Sequence, residues 1–314
     1  MSQSPLAGVM DNPYYDWSPI STRPVLRWPG DAQLAFGIVL SLEHLDWYPD
    51  EGTIVPPSVQ GFRPDAYPHV LDLHNISQQE YGNRVGIFRI MDVLERYGVQ
   101  PTIAMDAAVA ERSPFLVDYL LGRGAEFIGH GLSSEQMITE EMPESEERAL
   151  ISGSLDAIEL ATGKRPRGWI SADYGESTRT VALLAEYGVD YVLDWPTDEQ
   201  PHMMKVPTGR MVNMPVMIEL DDVFTHLGRV IAVDRFARMI TEQFDRLYLD
   251  GATTGRLFLL NVHPWIMGQP FRIKYFEQAI AHIMAEPKIW TATGADIVDA
   301  YLGATTAGSG ADGG

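Results

Sequence analysis

Nine consecutive residues, Leu34-Ala35-Phe36-Gly37-Ile38-Val39-Leu40-Ser41-Leu42, carry no charge and no polar alternation. A strand with one wet face alternates apolar and polar residues, so this run reads as a strand buried on both faces. That burial occurs in parallel sheets covered by helices. The rest of the chain fits. β-rich runs at 101–105, 126–129, 168–171, 191–193, 211–220, 257–262 and 289–291 are separated by segments of helical periodicity at 85–97, 113–121, 140–161, 177–187, 233–249, 271–284 and a last helix to Leu302. Strands joined by helices of that length imply parallel pairing, and about seven such units predict an α/β chain closing into a single-domain (β/α) barrel of parallel strands.

Composition narrows the function. With no cysteine among 314 residues, disulfide scaffolds and thiolate-ligated metal sites are excluded. Lys and Arg total 23 against 43 Asp and Glu, a formal charge of −20, which repels phosphate backbones and anionic bilayers, so neither nucleic acid nor membrane is expected as a partner. The first residues lack the basic and apolar regions of a signal peptide, and a cytoplasmic location is expected. Five prolines with interleaved aromatics mark residues 1–29 as an extended arm lying on the surface or on a neighbouring subunit. The barrel is assigned to 30–302, and 303–314 to a flexible tail of small residues. The stretch 48–77 is long enough to serve as a lid.

In parallel α/β folds ligands gather at the carboxyl ends of the strands. Glu43 follows the first run, and a carboxylate at a dry barrel mouth is expected to have a raised pKa and to take a proton from water. His44 beside it reads as a metal ligand, a substrate hydrogen bonder or an outward-facing imidazole, since strand neighbours point to opposite faces. His130 before Gly131, Asp173, the pair Asp221-Asp222, and His263 before Pro264 close other strands. A histidine at the last position suits a general acid for a leaving amine. Arg167 is a candidate anchor for a substrate carboxylate or ureido group, and Trp169 and Trp265 are candidate pocket walls.

This set resembles the polysaccharide deacetylase family: an acidic position after the first strand, His130-Gly131 after the third, Arg167-Gly168-Trp169 and a late strand ending in His263-Pro264. Glu80-Tyr81-Gly82-Asn83-Arg84-Val85-Gly86, Ile266-Met267-Gly268-Gln269-Pro270-Phe271-Arg272 and Ile289-Trp290-Thr291-Ala292 are similar to segments of the branch containing cofactor-independent allantoinases and cyclic-imide hydrolases. The resemblance implies a distorted barrel, hydrolysis of a non-peptide carbon–nitrogen bond and a homo-oligomer, dimer or tetramer. It also implies, in metal-dependent members, an aspartate after the first strand and His-x-x-x-His after the third. Here Ser134 stands at the second histidine. The expectation is therefore a site without a cofactor, the alternative being one divalent metal such as zinc on His130 with Glu43 or His44 and Glu135. Glu43 would activate water, His130 would hold the oxyanion and His263 would protonate the departing nitrogen of a small cyclic amide, ureide or imide. A metal-dependent N-deacetylase of an acetylated sugar or oligosaccharide and a catalytically inactive barrel acting as a binding protein are the rival readings.

Overall fold

The computed structural model describes residues 10, 12–47 and 73–309. In chain order the elements are β1 (Leu34–Leu42), α1 (Leu73–Tyr81), α2 (Ile87–Tyr97), β2 (Thr102–Met105), α3 (Ala107–Arg112), α4 (Pro114–Leu121), β3 (Glu126–Gly129), α5 (Glu144–Thr162), β4 (Gly168–Trp169), α6 (Thr180–Glu186), β5 (Tyr191–Val192), β6 (His202–Met204), β7 (Met211–Asn213), α7 (Val233–Gly251), β8 (Arg256–Val262), α8 (Pro264–Met267), α9 (Ile273–Met284), β9 (Ile289–Thr291) and α10 (Gly294–Ser309). The sheet runs β6-β7-β5-β4-β3-β2-β1-β8, with β9 paired to the first residues of β1. Every pairing but β6–β7 is parallel. Beyond β7, a single parallel bridge between Val216 and Leu259 of β8 brings the two sides of the curled sheet back together. The result is a distorted, mostly parallel barrel in one α/β domain.

All nine residues of β1 are buried, and the alternation that polarity hides returns as packing. Leu34, Phe36, Ile38, Leu40 and Leu42 pack outward with Ile87, Ile90 and Leu94 of α2 and with Phe236, Ile240 and Phe244 of α7. Ala35 and Val39 face inward with Ala104, Ile128, Ile170, Tyr191, Val212, Leu257 and Leu259. Odd positions of β1 and β8 therefore point into the barrel, and this parity runs on past the last ladder bonds to 43 and 263.

Some boundaries differ from expectation. The apolar run 211–220 is a short strand followed by a turn at Ile218–Leu220, because the chain must leave the sheet to reach α7. Helix α3 had no periodic signal, being six residues, and it is nucleated by Asp106, whose carboxylate accepts the Val109 N–H at 2.7 Å. α10 continues through Ser309, so the residues after Leu302 begin as helix rather than tail. Of the 48–77 stretch, 48–72 lies outside the described residues and 73–77 opens α1. The described part of the N-terminal arm lies on its own barrel. Tyr14 and Tyr15 pack on Trp195, Arg23 pairs with Asp198, and the Trp28 indole donates to the Arg256 carbonyl at 2.7 Å.

Candidate active site

The inward parity brings three strand ends together at the barrel mouth. Glu43 Oε1 lies 3.4 Å from His130 Nε2, and Glu43 Oε2 lies 3.9 Å from His263 Nε2. The other nitrogen of each ring is fixed from behind. His130 Nδ1 donates to the Ile170 carbonyl at 2.7 Å, and His263 Nδ1 meets Asp222 Oδ1 at 2.6 Å. Asp222 also accepts the backbone N–H of His263. Asn83 donates to the Glu43 carbonyl at 2.8 Å. It sits in a π-helical turn, Gly82–Gly86, that joins α1 to α2. The glycines at either end of that turn are there for space: a Cβ on Gly82 would stand 2.7 Å from the Trp265 nitrogen, and one on Gly86 2.0 Å from the Pro264 oxygen. This close approach seats the helix against His263-Pro264-Trp265. Gly131, at φ +94°, turns the chain directly after His130.

Electrostatics correct one expectation. Burial does raise the Glu43 carboxyl, but the His130 hydrogen bond and the charges of His263 and His130 outweigh it, and the net shift is downward. Glu43 is thus ionised at neutral pH. The imidazoles move the other way. Burial would lower His263, yet Asp222, Asp221 and Glu43 together push it up to about 10, and the Glu43 hydrogen bond and charge raise His130 against its burial. The resting centre is a carboxylate between two ring N–H donors: His263 is protonated across the neutral range, and His130, facing an acceptor with each nitrogen, is held as the imidazolium too.

A small pocket with a cavity volume of about 20 Å³ opens beside these groups, lined by His130, Ser171, Asp173, Tyr174, Asp221 and Phe224 among others. Asp173 and Tyr174 both adopt left-handed backbone, φ 54° and 58°, and turn the chain after β4 into this pocket. Asp221 Oδ1 accepts from the N–H groups of Val223 and Phe224, and its Oδ2 from Tyr174 Oη and Asn261 Nδ2, both at 2.9 Å. Burial and the neighbouring Asp222 raise it. Trp265 is buried within reach of the Glu43 carboxylate.

Three candidates lie elsewhere. His44 has outward parity and bonds to Asp46 and Arg112. Arg167 precedes β4, at the opposite end of the barrel, and binds Asp190 and Asp299 instead of facing a substrate. Trp169 points outward into the packing with Leu155 and Leu184, its indole donating to Ser171 Oγ at 2.8 Å. Two residues escaped the sequence reading although they follow strands directly. Asp106 accepts the His44 N–H at 2.6 Å, and burial pushes it up to about 8. Asp194 accepts the Ser171 N–H at 2.7 Å, and burial pushes it up to about 7. The strand-end rule that found His130 applies to both.

The anticipated metal set is not assembled. Ser134 Oγ donates to the His44 carbonyl at 2.9 Å, and Glu135 lies by Asp46 and Arg112, where burial and Asp46 push it up to about 7. A different group exists: Asp221, Asp222 and His263 offer donor atoms all within 4.8 Å of one another. Two carboxylates and an imidazole fit a divalent cation such as zinc in kind, and the expectation of a cofactor-free centre is not supported by this arrangement. Binding there would displace the Asp222–His263 hydrogen bond.

The polysaccharide deacetylase family model matches residues 80–192. That segment, from the end of α1 to β5, carries the similarity to the polysaccharide deacetylase family. A Schizosaccharomyces pombe protein bearing the polysaccharide deacetylase name is 24% identical over 306 residues, covering 90% of this chain and 93% of its own. Among solved structures, Puue allantoinase superposes with a TM-score of 0.80 at 23% identity, covering 90% of this chain and 95% of that one. The probable polysaccharide deacetylase of Pseudomonas aeruginosa PAO1 superposes with 0.78 at 24%, covering 89% and 94%. At these identities the superpositions establish the fold. Among the described residues no helix is long and apolar enough to cross a membrane.

Proposed function

We propose that the chain hydrolyses the carbon–nitrogen bond of a small cyclic amide, ureide or imide. The observation that carries this reading is the Glu43 carboxylate held between Nε2 of His130 and Nε2 of His263. Glu43, already ionised, accepts a proton as water attacks the substrate carbonyl carbon. His130 Nε2–H hydrogen-bonds the oxygen on which negative charge develops, and its Nδ1–H stays on Ile170. His263 then gives its Nε2 proton to the departing nitrogen while Asp222 keeps the ring aimed. Return of the Glu43 proton to His263 restores the resting charges.

A second reading, N-deacetylation of an acetylated sugar, is favoured by the acidic group with His263 and by the family name. A divalent ion on Asp221, Asp222 and His263 would act as a Lewis acid toward the carbonyl oxygen. One experiment separates the two: turnover of allantoin, hydantoins, dihydropyrimidines, cyclic imides and acetylated chitooligosaccharides, measured before and after chelation, with metal content determined on the same protein. Ring opening that survives chelation is the expected result. Chelator-sensitive release of acetate with no ring opening overturns the first reading in favour of the second.

A further inference from the structure

We propose that Asp194, backed by Glu176, is a positioning residue for His130 and acts through the single peptide group joining Ile170 to Ser171. The carbonyl of that peptide accepts the His130 Nδ1–H at 2.7 Å, and its N–H donates to Asp194 Oδ1 at 2.7 Å. A carbonyl only accepts, so the first bond puts a proton on Nδ1, and the Glu43 carboxylate holds a second on Nε2, so that the ring is the doubly protonated donor the oxyanion role requires. A carboxylate on the N–H side strengthens the acceptor on the carbonyl side, because hydrogen bonds in series polarise one another in a low-dielectric interior. Asp194 thus fixes both the direction of the peptide and the strength with which it holds the ring, without touching the reacting atoms.

Glu176 supplies what Asp194 lacks. Among the described residues, Asp194 Oδ2 and Glu176 Oε1 are buried acceptors with no donor. The two side chains are within hydrogen-bonding reach of each other, and the other Glu176 oxygen accepts the Trp195 indole N–H at 2.8 Å. One proton on Glu176 Oε1, donated to Asp194 Oδ2, satisfies both atoms and leaves Asp194 ionised toward Ser171. Burial and the Asp194 charge raise Glu176 far enough to keep that proton. Like carboxyl groups forced together hold a single proton for the same reason.

This inference rests on the reading of His130 as oxyanion donor for its catalytic consequence, but its test does not need a substrate. Protein labelled with 15N-histidine is observed by NMR, with His130 assigned from a His130→Gln variant. His226 is the internal reference, because its Nδ1 also meets a backbone carbonyl, that of Ile231 at 2.9 Å. In Asp194→Ala the His130 Nδ1–H resonance moves upfield as its hydrogen bond to Ile170 weakens and the Ser171 amide exchanges faster, while His226 stays put. Asp194→Asn, which keeps an oxygen for Ser171 but no charge, moves the His130 Nδ1–H resonance part of the way. Should Asp194→Ala not fold, Asp194→Asn decides alone. Glu176→Gln, whose amide donates to Asp194, keeps the His130 signature. Turnover in Asp194→Ala falls by about 10²-fold, the usual effect of a misplacement of about 1 Å at a reacting group. His130 shifts equal to wild type in folded Asp194 variants overturn the proposal, and a Glu176→Gln shift as large as that of Asp194→Ala overturns the part given to Glu176. If the ring-amide reading fails instead, no ring is opened by any variant, yet the His130 shifts still move.

Discussion

The two ends of strands β3 to β5 carry similar residues and do opposite things. At the amino end, Glu126 accepts from Tyr191 Oη at 2.7 Å, Thr102 Oγ1 at 3.1 Å and the Ala295 N–H at 3.0 Å, while Arg167 is clasped by Asp190 and Asp299. Each polar group there is answered by a protein partner, and α10 is fastened to the sheet by the result. At the carboxyl end, His130 and His263 are fixed from behind through Nδ1, face Glu43 through Nε2 and line the pocket. The difference follows from direction. Strands that run parallel deliver their loops, turns and backbone carbonyls to one mouth, where packing leaves room for a ligand. The floor also has a cleft, lined by Glu126, Arg167 and Asp296 among others, but Glu126 and Arg167 are already engaged by protein partners.

The largest expected effects break the mouth. Glu43→Gln removes the proton acceptor and His130→Ala the oxyanion donor, and each lowers kcat by ~10²–10³ on the substrate of the wild type. Steady-state kinetics on variants with unchanged circular dichroism checks this, and retained turnover in either removes that residue from the mechanism. Next comes Asp222→Asn. His263 is raised from 6.5 to about 10, so in chelator-treated protein its acid form persists through neutrality and turnover declines only as pH approaches 10. The same shift contributes stability that is complete below pH 6.5 and is lost as pH rises through about 10. Removing the Asp222 charge moves the alkaline limb of the kcat profile toward neutrality and lowers kcat by about 10²-fold. Glu43 has the opposite sign. Its contribution is present above 4.5 and fades as pH falls through its lowered value, giving acid denaturation a component that Glu43→Gln lacks.

Much of this mouth was legible from strand ends because a polar residue after an apolar run has few reasons to be there. Glu43, His130, Asp222 and His263 were found that way, and the parity that separates Glu43 from His44 is a property of any strand. What was not legible is instructive. Trp169 failed because a two-residue strand shows no alternation from which to read its face, and the inward neighbour is Ile170. Arg167 failed because it stands before its strand, a distinction that needs the strand's start to within one residue. The Glu43 shift was misjudged because its sign depends on two imidazoles from distant segments, whose charges outweigh burial only once the barrel closes. Asp106 and Asp194 satisfied the rule that found the others and were passed over.

The floor breaks differently. Glu126→Ala strands Tyr191 Oη, Thr102 Oγ1 and the Ala295 N–H in a buried setting, at about 1–3 kcal/mol for each group left unpaired. Denaturant unfolding should show this loss, with kcat changed by less than about threefold if the two ends are as independent as distant sites usually are. A kcat loss comparable to that of His130→Ala would mean the floor reaches the mouth through the strands, and the division drawn here would fail.

Arg167→Ala gives the smallest effect and the sharpest contrast. Its guanidinium is 38% exposed and pairs with Asp299, itself 59% exposed. Exposed pairs of this kind contribute about 0–1 kcal/mol, because solvent screens the charges and ordering two long side chains costs entropy. Unfolding free energy should therefore fall by less than about 1 kcal/mol, and less again in high salt. KM and kcat should not change, since no atom of Arg167 faces the pocket. A KM increase specific to substrates bearing a carboxylate or ureido group would restore Arg167 as an anchor and require the ligand to enter from the floor. A kcat loss in Glu43→Gln together with an unchanged Arg167→Ala instead assigns the chemistry to one end of the barrel and the ion pair to the other.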